Sequence, residues 1–222
     1  MPHFTTRLFF CLALTTALVA PEVRADDQSA LQRFLADSHL KQNIINTAAK
    51  STAMTRHPCS IATYEVQDAI ELRPMKFDQY GSPESGEMKI PVKEDGCGAG
   101  HQLNVYLWVQ HESSIAVTPM LPGSSRAEDA LQKQAWPYAL QAAGGPEPNC
   151  PTAYVEDTRY VGEQGKPEKG AKAAPWKEIW TLQSCGWKAE VPVLFTPNAR
   201  GITVTAGPKK DVKREPNEQN RL

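Results

Sequence analysis

The chain has 222 residues, and its 24 Lys and Arg against 25 Asp and Glu leave a formal charge of −1. So neutral a balance gives no electrostatic footprint for nucleic acid, whose binding calls for a basic patch or stripe. The length allows one large domain or two small ones.

Residues 1–25, MPHFTTRLFFCLALTTALVAPEVRA, join a polar start carrying Arg7 to an apolar run from Leu8 to Ala20 and a small-residue exit at Ala25. This is the pattern of a secretory signal peptide cleaved after Ala25, and the run falls short of the ~20 residues that a membrane-spanning helix needs. Cleavage removes Arg7, Arg24 and Glu22, so the mature chain carries 22 − 24 = −2. No later stretch approaches a membrane span. The expected location is the periplasm or the extracellular space.

From Ser29 to Lys50 the apolar residues Leu31, Phe34, Leu35, Ile45 and Ala48 fall near one stripe, predicting an amphipathic helix. Cys59 then introduces a short strand, the stretch GSPESG at 81–86 supplies a turn, and Met88 to Val92 form the next strand. Cys97-Gly98 leads into HQLNVYLWV, where Leu103, Val105, Leu107 and Val109 alternate with Gln102, Asn104, Tyr106 and Trp108. Such period-two alternation marks a half-buried strand. HESSIAV, ending at Val117, reads as a hairpin turn entering another strand.

The same landmarks then recur. Ser125-Arg126-Ala127-Glu128 has capping-box spacing, and Ala127, Ala130, Leu131, Gln134 and Tyr138 predict a second helix stopped by Gly144-Gly145. Pro137 should kink or end that helix. Cys150 introduces a strand, GKPEKG at 165–170 lies in a polar stretch that reads as an exposed loop, and Trp176 and Trp180 stand in register with Met88 and Val92. Glu178 falls against Ile90, the weakest match. Cys185-Gly186 then leads to Val191, Val193 and Phe195, which lie six, eight and ten residues past the cysteine, as do Leu103, Val105 and Leu107 past Cys97. Matching parity matters because a one-residue slip would turn every side chain to the other face. Ile202 and Val204 correspond to Ile115 and Val117 after a one-residue shift. Residues 209–222, KKDVKREPNEQNRL, have almost no apolar content and read as a flexible polar tail.

After cleavage the cysteines are Cys59, Cys97, Cys150 and Cys185, an even count that in an exported chain implies two disulfides. Their intervals of 38, 53 and 35 residues contain no pair spaced for zinc. Four cysteines allow three connectivities, and the repeat selects Cys59 with Cys97 and Cys150 with Cys185.

No phosphate-binding loop, dinucleotide fingerprint, nucleophile elbow or zinc-protease motif is present. His39, His57, His101 and His111 are too scattered for local geometry to gather a metal. The pairs Glu94-Asp95, Glu128-Asp129 and Glu156-Asp157 sit beside turns or caps and read as solvated surface. The one suggestive constellation is the outward face Gln102, Asn104, Tyr106 and Trp108, where two amphipathic rings beside two amides suit recognition, unless the second unit covers them.

The expected architecture is α+β, a tandem duplication of a helix-plus-antiparallel-sheet unit with one disulfide per unit. A signal peptide at 1–25 precedes units at 26–123 and 124–208 and the tail at 209–222. The expected function is that of an exported, disulfide-stabilised binding protein with a protein or envelope-component partner, of which a hydrolase inhibitor would be one form. No catalytic, cofactor or metal residues are assigned, and an exported enzyme of another type is the alternative.

Overall fold

The computed structural model describes residues 25–55, 61–96, 101–109, 114–145 and 153–216. It holds three helices and two antiparallel sheets, an α+β arrangement of two sheet units. The signal peptide expected at 1–25 falls, except for Ala25, outside the described residues, as do Cys59, Cys97 and Cys150.

In the first unit α1 (Ala25–Ala36) and α2 (Ser38–Thr55) replace the single helix expected between residues 29 and 50. Asp37 makes the break: its Oδ1 accepts from the Leu40 amide at 2.7 Å, capping the start of α2. The α2 stripe is Leu40, Ile44 and Ala48, with Ile44 in the fully buried place expected of Ile45. The strands are β1 (Thr63–Val66), β2 (Ile70–Phe77), β3 (Pro83–Asp95), β4 (His101–Val109) and β5 (Ile115–Met120). Both β1 and β2 pair with β3, lying along the same side of it as one interrupted strand. Leu40, Ile44 and Ala48 pack on Met88, Ile90, Val92, Leu103, Val105 and Leu107, all buried.

The second unit repeats the plan with α3 (Asp129–Ala142), β6 (Ala153–Glu163), β7 (Trp176–Ser184), β8 (Trp187–Asn198), β9 (Gly201–Ala206) and β10 (Lys213–Pro216). The registers coincide. Met88, Ile90 and Val92 face Leu107, Val105 and Leu103, as Trp176, Glu178 and Trp180 face Phe195, Val193 and Val191. Leu107 faces Val117 as Phe195 faces Val204, so one added residue is absorbed in the first hairpin. The GxPExG turns occupy equivalent connections, although Pro83 to Gly86 already belong to β3.

The second core is filled differently. Trp176, Trp180, Trp187 and Phe195 are buried against Ala135, Ala139 and Ala143, so small helix residues make room for large sheet residues. Trp176 and Phe195 stack with centroids 4.9 Å apart.

Three details of this unit depart from expectation. Glu128 takes the N-cap of α3 without a side-chain cap, while the Ser125 hydroxyl accepts from the Ala127 amide at 3.1 Å, so the capping box does not form. Pro137, expected to kink or end the helix, lies inside α3 and does not end it, and the buried stripe of Gln132, Ala135 and Ala139 leaves Tyr138 exposed. Residues 213–216 of the expected flexible tail form β10 on β8 instead. The Arg214 guanidinium lies 4.9 Å over the Trp187 ring and donates to the Ala143 carbonyl at 3.2 Å, where a cation also suits a helix C-terminus. The glycine stop is as expected: the Gly144 amide donates to Gln141 and the Gly145 amide to Leu140, with Gly144 at φ +104°.

Residues 121–127 join the two sheets rather than merely connecting them. The Gly123 amide donates to the Gln102 carbonyl of β4 at 2.7 Å, and Asn104 Nδ2 donates to the carbonyls of Leu121 and Gly123. On the opposite side the Thr158 amide of β6 donates to the Pro122 carbonyl at 3.0 Å, and the Ser124 amide donates to the Thr158 carbonyl. This segment is thus an edge partner of both sheets at once. The unit boundary expected between residues 123 and 124 runs through it.

Candidate functional site

The outward face of β4 is divided by this seam. Asn104 is fully buried because it holds residues 121 and 123, so it is a joining residue and not a recognition one. Gln102 is exposed, while Tyr106 and Trp108 are half-buried and stacked at 5.0 Å. Burial, and then donation of the Tyr106 hydroxyl to Glu87, pushes the phenol well above its ordinary range. Truncating both rings to Ala should cost about 2–3 kcal/mol through lost burial and stacking. A double variant melting with the parent protein would show that this face carries no packing.

The carboxylate pairs also separate. Asp129 accepts from Lys133 at 2.6 Å, Asp95 pairs with Lys93, and Glu156 pairs with Lys188, but Asp129, Glu156 and Asp157 are partly buried and not the solvated groups expected. Glu94 departs from that expectation: it is buried on the core side of β3, and neither oxygen has a hydrogen-bond partner among the described residues. His39 is exposed, His57 and His111 lie outside the described residues, and nothing is described of the His101 side chain. No group of metal-ligating side chains is gathered among the described residues. No helix among them is long and apolar enough to cross a membrane.

A cleft of about 520 Å³ opens at the end of the second sheet. The loop between β6 and β7 forms one wall and the β8–β9 hairpin the other. Trp176, Ala174 and Pro197 supply apolar surface, while Arg126, Lys172, Arg200 and Glu163 supply the charges. The volume lies within the roughly 300–1,000 Å³ usual for ligand pockets.

Beneath the cleft lies Glu178, fully buried at the inward β7 position that Ile90 occupies in β3. Its Oε1 accepts from Trp176 Nε1 at 3.0 Å and from the Arg126 amide at 2.9 Å, and its Oε2 accepts from Trp180 Nε1 at 2.9 Å. One carboxylate therefore orients an aromatic wall of the cleft and anchors the backbone of its first cation. Lys89 reaches in from the outer face of the first sheet, donating to the Ser125 carbonyl at 2.8 Å. Burial lowers its pKa, and the attraction of Glu178 opposes that shift.

The Arg126 guanidinium lies 5.1 Å over the Tyr160 ring, donates to its hydroxyl at 3.0 Å, and pairs with Glu163 at 3.6 Å. Lys172 and Arg200 are exposed, and neither forms an ion pair among the described residues. Sequence reasoning placed none of these residues in a site. The one signal was Glu178 itself, the mismatch against Ile90, whose parity places a carboxylate in the core.

Comparison with protein-family models, with curated proteins and with solved structures finds no match to this chain.

Proposed function

We propose that the chain is an exported, disulfide-stabilised binding protein built by tandem duplication, and that its partner seats in the cleft of the second unit. The observation that carries this reading is Glu178. A buried carboxylate costs stability unless its hydrogen bonds are satisfied. Here it spends them on orienting Trp176 and Arg126, while the equivalent position of the other unit holds Ile90. Rigid, pre-oriented anchors reduce the ordering cost of association.

The within-unit disulfides are supported by where the strand pairs end. Thr63 faces Asp95, four residues after Cys59 and two before Cys97. Ala153 faces Ser184, three residues after Cys150 and one before Cys185. Peptide mapping of the unreduced protein should recover Cys59 with Cys97 and Cys150 with Cys185, and a cross-unit pair would overturn the assignment. Export rests on the leader-like first 25 residues, and amino-terminal sequencing of the protein recovered outside the cytoplasm should begin at Asp26.

Binding is tested by filling the cleft. Ala199 is exposed on its rim, so Ala199→Trp should occupy the space with little effect on stability. Affinity chromatography of the native envelope fraction on immobilised mature protein should retain a partner that the folded Ala199→Trp protein fails to retain. Equal retention by both proteins would place recognition elsewhere.

A further inference from the structure

We infer that the cleft takes a monocarboxylate carried on an apolar body, either the acidic group of an apolar peptide segment or a free aryl or alkyl acid. This rests on the reading of the cleft as a binding site and adds the chemistry of what enters it. Three cationic side chains, Arg126, Lys172 and Arg200, line the space against the single carboxylate of Glu163. That surplus is local, because the chain as a whole carries −1.

The cations are not equivalent. Arg126 is already shared between Tyr160 and Glu163. Arg200 has no side-chain partner among the described residues, and its backbone is pinned by donation of its amide to Asn198 Oδ1 at 2.8 Å. An unpaired guanidinium on a pinned backbone offers a planar fork that matches a carboxylate with two parallel hydrogen bonds. Lys172 stands on the facing loop as a second point charge.

The remaining lining selects the body. Ala173, Ala174, Trp176, Pro197, Ala199 and Ile202 give an apolar wall, and Ile202 is 37% exposed there. A polyanion is disfavoured by Glu163, which faces the same space and would repel further negative charge. A neutral apolar ligand would leave Arg200 and Lys172 unpaired beneath it, a desolvation cost without return. A single negative charge on an apolar group satisfies both surfaces.

The test uses the mature protein and two probe pairs matched in shape and differing in charge. One pair is phenylacetate and phenylacetamide, and the other is an acetylated, amidated Phe-Glu-Phe tripeptide and its Phe-Gln-Phe analogue. Binding is followed by titration calorimetry and by the Trp176 indole NMR resonance, assigned from Trp176→Phe. The expected result is that one carboxylate probe shifts the Trp176 resonance and binds about tenfold or more tightly than its amide. Arg200→Gln should remove most of that difference, by weakening the acid and not the amide, while leaving the melting temperature unchanged. Preference for the peptide identifies a protein segment as the source, and preference for phenylacetate identifies a free acid. Equal binding of acid and amide would overturn the charge assignment and leave the cleft as a binding site. A Trp176 resonance unmoved by all four probes, with no heat of binding, would overturn the ligand class. Retention of a partner by the parent but not by Ala199→Trp would still uphold the cleft in that event.

Discussion

Gly123→Val should destabilise the protein by about 4 kcal/mol or more and split its unfolding into two transitions. Gly123 sits at φ +92°, where an L side chain costs about 1–2 kcal/mol. The larger effect is steric: a β-carbon there would overlap the backbone of Thr158 and the Asp157 carboxylate. Those atoms cannot retreat without breaking the bonds between Thr158 and both Pro122 and Ser124, and on the other side the bond from Gly123 to Gln102. Each buried amide or carbonyl left unpaired adds about 1–3 kcal/mol. Gly165→Ala is the control. Gly165 has φ +86° but nothing within 4 Å of an added β-carbon, so it bears only the conformational cost. Urea unfolding followed by tryptophan emission, which is dominated by the second unit, and by far-ultraviolet dichroism separates the cases. A Gly123 variant no less stable than Gly165→Ala would remove the double-sided role of the segment.

Glu178→Ile should cost about 3–5 kcal/mol, although it restores the residue type of the equivalent position in the first unit. The substitution strands the indole donors of Trp176 and Trp180 and the Arg126 amide, and leaves Lys89 buried without the carboxylate that opposes its desolvation. The penalty is one of unpaired groups and not of volume, so adding Lys89→Met should recover only part of it. The pH dependence gives a second signature. A lysine whose folded pKa lies below its unfolded value of 10.5 destabilises the fold at low pH, and the cost is relieved as pH rises through the folded pKa. Without Glu178 the Lys89 value falls further, so stability between pH 7 and 10 should climb more steeply in the variant. Above pH 10 the raised Tyr106 value acts in the opposite sense, since stability from a retained phenol proton is lost as pH rises through its folded pKa. Chemical unfolding across pH 7–10 measures the lysine effect, and its extension above pH 10 measures that of Tyr106. A Glu178→Ile protein as stable as the parent, with an unchanged slope, would show that the carboxylate has no structural role.

Local order carried much of this architecture into the sequence. The alternation from Leu103 to Val109 and from Val191 to Phe195 displays which face each strand buries, because side-chain parity belongs to the strand itself. The Gly144-Gly145 stop and the exposed stretch around Gly165 were legible for the same reason: each depends on residues a few positions apart. The α1–α2 break was local too, but Asp37 as a cap competed with a nearly continuous apolar stripe. What the tertiary structure alone decided joins residues far apart in the chain. The pairing of residues 121–124 with Thr158, the reach of Lys89 to Ser125, and the placement of Arg126 over Glu178 span 34 to 52 positions between their named side-chain contacts. Asn104 has the parity of a surface residue, yet it is buried because residues 121–123 fold onto it; Arg214 reads as tail, yet Trp187 and the end of α3 are waiting for it. Parity tells which way a side chain points, and only the assembled fold determines what meets it.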